Sequence, residues 1–168
     1  MQPLHSTGMN DLDDWIRDNL RPTLTAFGYT GGPRRYHKRT LHGCLVIEFQ
    51  RSRDSWPGHS KFAINLGVWN VVLGSSADAT RIPCPATVDC HVALRAGEID
   101  PPHVERWWWV EPGDSAPVVR DVQETLVTEA IPFLERLSSN AGMLSFWDSG
   151  QSAIANEYAA KLRVALEA

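Results

Sequence analysis

Cysteine is scarce in this 168-residue sequence, and what there is lacks any useful spacing. Cys44, Cys84 and Cys90 form no Cys-x-x-Cys, and five residues separate the last two, so a structural zinc site is not expected. Cys90 and His91 are adjacent and would point to opposite faces of a strand. The odd count and the opening Met1-Gln2-Pro3-Leu4-His5, without basic and apolar signal blocks, lead to the expectation of a reducing cytoplasm and a core without disulfides. No run approaches the ~18 apolar residues that a membrane-spanning helix needs, so no membrane partner is expected. Phosphate-cradling Gly-x-x-x-x-Gly-Lys and dinucleotide Gly-x-Gly-x-x-Gly are both absent, and Ser76 sits in Gly-Ser-Ser-Ala rather than a Gly-x-Ser-x-Gly elbow. No metal, no cofactor and no catalytic residue is singled out on these grounds.

Aromatic mass, by contrast, is plentiful. Seven tryptophans are spread over most of the chain, and three of them are consecutive: Trp107, Trp108 and Trp109. On a strand, successive side chains alternate between faces, so Trp108 and Val110 share one side and Trp107 and Trp109 the other. Trp108 with Val110 is expected in the core, and Trp107 and Trp109 toward a second surface. A length of 168 residues suits one domain, 1–168, which buries roughly 70% of its unfolded surface.

Helical periodicity opens the chain after a flexible stretch over 1–9. Asn10 is a good N-cap, Leu12, Ile16, Leu20, Leu24 and Phe27 form a buried stripe, and Pro22 should kink or split the helix. Strands are predicted over Arg35 to Thr40, Cys44 to Arg53 and Lys61 to Trp69, with a short element near His91 to Leu94. Between them, 70–90 reads as a long surface loop. Val118, Val122, Leu126, Ala130, Phe133 and Leu137 make a late helical stripe bent or restarted at Pro132, and a last helix runs from about Ser152 to Leu166. The expected class is α+β: an antiparallel sheet of about four to five strands, with N-terminal and C-terminal helices mainly on one face and the other face wet.

Two sets of polar residues stand out on the strands. If the strands are neighbours with their apolar faces aligned, Glu48, Gln50 and Asn65 meet on the far side of the sheet, with Ala63 and Gly67 leaving room. A small polar ligand or a peptide could then sit there, with Arg95 nearby and Glu48 as the acid/base candidate of an enzyme. The plainer reading is the wet face of a sheet, with Gly67 marking a bulge or a close backbone approach. The second set is basic. Arg34, Arg35, Lys38, Arg39 and Arg51 lie in 34–61, which holds seven basic residues against two acidic ones in a chain of net charge −4. Either that segment is a solvated hairpin or it meets an acidic or phosphate-bearing partner. The overall negative charge argues against a dedicated nucleic-acid binder.

The order of several pieces resembles the bacterial family known as domain of unknown function 4304. Pro22-Thr23-Leu24 and Phe27-Gly28-Tyr29 are similar to its first helix and helix exit. Phe49-Gln50-Arg51-Ser52 and Phe62-Ala63-Ile64-Asn65-Leu66-Gly67-Val68 resemble its paired strands. Cys90-His91, Arg95, Gly97 and Trp107-Trp108 resemble its middle stretch, and Ile131-Pro132-Phe133-Leu134 its late helix. Ala96 and Gly31-Gly32-Pro33 depart from the pattern. The resemblance covers roughly residues 12 to 146 and implies an α+β architecture without an assigned activity. The expected function is a non-catalytic binding or interaction protein with a protein partner, for instance one that neutralises a toxin or serves in defence. Candidate contacts are Glu48, Gln50, Asn65, Arg95, Trp107 and Trp109. An enzyme acting on a small polar substrate, and a binder of nucleic acid or an acidic partner through the basic hairpin, are the alternatives.

Overall fold

The computed structural model describes residues 11–74, 83–150 and 155–168. The N-terminal tail expected over 1–9, the Asn10 cap and residues 75–82 of the predicted loop lie outside them.

Helix α1 (Asp11–Asn19) and helix α2 (Arg21–Ala26) carry the first apolar stripe. Pro22 has no N–H to donate to the preceding turn and sits in the first turn of α2, so the helix divides in front of it. Leu12, Ile16, Leu20 and Leu24 are fully buried, whereas Phe27 is exposed and the buried Tyr29 takes the expected fifth place.

Among the described residues six antiparallel strands follow: β1 (Thr30–Gly31), β2 (Arg35–Thr40), β3 (Gly43–Arg51), β4 (Ser60–Asn70), β5 (Val92–Arg95) and β6 (Trp108–Val110). Their order is β1-β2-β3-β4-β5, and β6 pairs with β4 as well. Strand β4 is long enough to hold both along one edge, with Ser60 to Phe62 against β6 and Asn65 to Val68 against β5. Where β3 begins, β4 comes so close that a Cβ at Gly43 would stand 1.9 Å from the Trp69 carbonyl oxygen, which only glycine avoids.

The C-terminal half is helical: α3 (Ala116–Thr125), α4 (Ile131–Arg136), α5 (Asn140–Asp148) and α6 (Ala155–Glu167). Between α3 and α4 the ladder widens into a π turn over Leu126–Ala130. Pro132 cannot donate to the carbonyl four residues back, and its ring crowds that carbonyl; a wider turn relieves both. Helix α5 is a separate element that the late apolar stripe did not announce. Ser139 caps it, its Oγ accepting from the Gly142 N–H at 3.0 Å.

Strand alternation sorts the sheet into two faces. Leu45 with Val68, Ile47 with Leu66 and Phe49 with Ile64 are register pairs in one core with Leu12, Ile16, Leu126, Phe133 and Leu134. The other face is not open to water along its whole length. Val46 is fully buried yet lies outside that core, because residues 83–91 fold back across the sheet as a strap over Cys44, Glu48 and Gly67. The expectation of a disulfide-free core is overturned in the same place: Cys84 of the strap is bonded to Cys44 of β3, their Cα atoms 5.9 Å apart. A 40-residue separation in sequence hid the pair, and Cys90 is left as the free thiol.

Candidate functional site

Register brings four polar residues into one row across the strapped face. Arg35 stands opposite Glu48, Glu48 opposite Asn65, and Asn65 opposite Arg95, one residue from each of β2, β3, β4 and β5. At about 4.8 Å per strand the row runs about 14 Å. Gln50, two residues on from Glu48, accepts from the Asn65 amide at 2.9 Å. Glu48, Gln50 and Asn65 thus meet where strand alternation places them.

Glu48 is already engaged. Its Oε2 accepts from the Thr87 backbone N–H at 3.2 Å and from the Thr87 hydroxyl at 3.1 Å, and Arg35 Nε lies 3.4 Å away. The carboxylate therefore holds the middle of the strap. Beyond Thr87, Cys90 packs on Gly67, where an added Cβ would fall 2.6 Å from the sulfur. Gly67 marks a close approach, the second of the two structural readings of that glycine. Burial pushes the Cys90 thiol up to about 12, so it is protonated at neutral pH and a poor nucleophile. At the end of the strap, burial lowers His91 below the usual imidazole range, with Lys161 adding to it. The neutral ring accepts from the Asn70 N–H at 3.0 Å through Nδ1.

On one side of the strap lies an open groove of about 590 Å³, lined by Arg34, Arg35, His37, Glu48, Gln50, Arg51 and Cys84 among others. Members of both sequence-derived sets converge here. Arg34 is tied to Asp13 of α1 at 3.0 Å and keeps much of its side chain exposed; Arg51 is exposed. Burial, and then Arg39, lowers His37. Lys38 goes elsewhere: it faces the helices, bonds Glu135 of α4 at 2.6 Å and lies 5.9 Å over the Tyr29 ring. On the other side of the strap a smaller groove of about 240 Å³ holds Asn65 and Arg95.

The tryptophan run divides as alternation requires. Trp108 and Val110 are buried in the core, and Trp107 and Trp109 are half-buried on the other face. Lys61 Nζ lies over both, 5.0 Å from the Trp107 ring centre and 5.6 Å from that of Trp109, and Arg95 stacks on Trp107 at 4.8 Å. Arg95 also donates to Glu105 at 2.7 Å. A Trp107 hydrogen bond, and then Arg95, hold the Glu105 carboxyl below its usual range. Trp56 and His59, stacked at 4.7 Å, extend this platform to Trp109, with Trp56 nearly half exposed. Sequence reading missed Trp56 and the strap; Gly67 inside an apolar strand was the available signal for the latter.

Among the described residues no group of three or more His, Cys, Asp and Glu side chains is placed to hold a metal ion, and no helix is long and apolar enough to cross a membrane. A family model described as a domain of unknown function (DUF4304) matches residues 20–136. No curated protein and no solved structure matches the chain.

Proposed function

We propose a binding role for this chain, which belongs to the DUF4304 family: a non-catalytic protein that takes an acidic segment of a protein partner in the groove beside the strap. The observation that carries this reading is the convergence of Arg34, Arg35 and Arg51 on one groove with Gln50. Guanidinium groups match carboxylates in shape and charge, and an amide can serve a peptide backbone. Against an enzyme stands the state of the reactive groups. Glu48 is occupied by Thr87 and Arg35, and the Cys90 thiol is buried and protonated. Single exposed ion pairs contribute only about 0.2–1 kcal/mol, so recognition rests on several acting together.

A fluorescent octaglutamate peptide followed by anisotropy tests the reading. Binding to the wild-type chain should weaken as salt rises, and Arg51→Glu should weaken it by roughly tenfold, about 1.4 kcal/mol, since it replaces an attraction with a repulsion. No binding at low salt would end the proposal. Tighter binding of a single-stranded oligonucleotide of equal charge would reassign the groove to nucleic acid.

A further inference from the structure

Resting on that groove reading, we propose that Cys44–Cys84 is a reversible redox site: reduction by a dithiol frees the strap and loosens the groove's hold on an acidic segment. Cys44 is almost completely buried on β3, whereas Cys84 is half-buried and forms part of the groove wall. A reductant entering the groove therefore reaches Cys84 before Cys44. One thiolate of the dithiol bonds to Cys84 Sγ, the Cys44–Cys84 bond breaks, and Cys44 leaves as a thiolate that takes up a proton. The second thiolate then closes on the first sulfur of the reductant and expels Cys84, which is also protonated. Two electrons pass to the protein, and the reductant departs as a cyclic disulfide.

The first attachment of the strap is the disulfide, which is covalent. The second is Thr87 on Glu48, and the third is Cys90 on Gly67, followed by the His91 N–H on the Val68 carbonyl at 3.0 Å. Reduction removes the attachment nearest the groove and leaves the far end held in the sheet. Residues 84–87 can then swing away on Cys90 and His91, taking the Thr87 donors from Glu48. A Glu48 carboxylate without those donors turns its charge to Arg35 and to the groove, which opposes an acidic ligand twice over. Cys90 does not interfere: burial keeps it protonated, so it does not compete for the mixed disulfide. The oxidised chain is the binding form.

The experiment compares the full chain before and after dithiothreitol under native conditions. Thiols counted after acid quench should rise from one to three, amide exchange over 84–90 should accelerate, and octaglutamate affinity should fall by roughly fivefold or more. Cys84→Ser should bind as the reduced wild type does and ignore dithiothreitol. The wild-type comparison needs no substitution, so a variant that fails to fold leaves the test standing. A disulfide that resists dithiothreitol in the native chain overturns the proposal, as does full reduction with unchanged exchange and affinity. Accelerated exchange with no octaglutamate binding in either state would support release of the strap and overturn the groove reading instead.

Discussion

Replacing Trp108 with alanine is expected to lower the unfolding free energy by about 3–5 kcal/mol, the range for a large buried aromatic. Its ring is 5% exposed and stacks on Phe62 at 5.7 Å, and Phe62 in turn packs against Trp15 at 5.6 Å and Phe49 at 6.1 Å. Its indole N–H donates to Asp121 Oδ2 at 2.6 Å, which joins β6 to α3. Truncation would leave a void beside Phe62 and cut that link. Trp109→Ala should cost about 1 kcal/mol or less, because its contacts with Trp56 and Lys61 lie on the partly exposed platform. Urea denaturation of both variants measures the difference. Equal losses would contradict the assignment of the two residues to opposite faces.

Gly67→Ala should be the second severe change, costing about 1–3 kcal/mol by overpacking. The new methyl would stand 2.6 Å from Cys90 Sγ, 3.1 Å from Cys90 Cβ and 3.2 Å from the Thr87 Cα. A side-chain tip could move aside, but the Thr87 Cα is backbone, so the strap itself must lift. Alanine's better fit to a strand offsets about 0.5–1 kcal/mol of the clash, and about 1–3 kcal/mol is what is left. Lifting the strap would also uncover Cys90, so maleimide labelling at that thiol should quicken along with the loss of stability. Wild-type stability with Cys90 still protected would mean that the strap does not bear on Gly67 as described.

Local pattern made much of this architecture legible. The period of two along β3 and β4 sorts Leu45, Ile47 and Phe49 from Val46, Glu48 and Gln50, and the register then brings Asn65 to Glu48. The same rule divides the tryptophan run, and Pro22 and Pro132 mark the two places where helices change. What escaped depends on chain distance. The Cys44–Cys84 bond and the Thr87–Glu48 contacts join residues about 40 positions apart, and the strap has no periodicity to announce it. Lys38 shows the opposite failure. Its charge suggested the basic surface, but it shares a sheet face with Tyr36, and Glu135 of α4 provides the partner that lets it lie there. The convergence of Arg34, Arg35 and Arg51 with Gln50 in one groove required the folded hairpin.

The proposed meeting place with an acidic partner is the strapped polar face, and within it the groove at Arg34, Arg35, Gln50 and Arg51. Amide chemical shifts of the ¹⁵N-labelled, oxidised protein, followed during octaglutamate titration at low salt, test it residue by residue. The expected result is saturable shifts at Arg34, Arg35, Gln50, Arg51 and Cys84, diminishing as salt is added. Shifts confined to Trp56, Trp107 and Trp109, or no shifts at all, would contradict it.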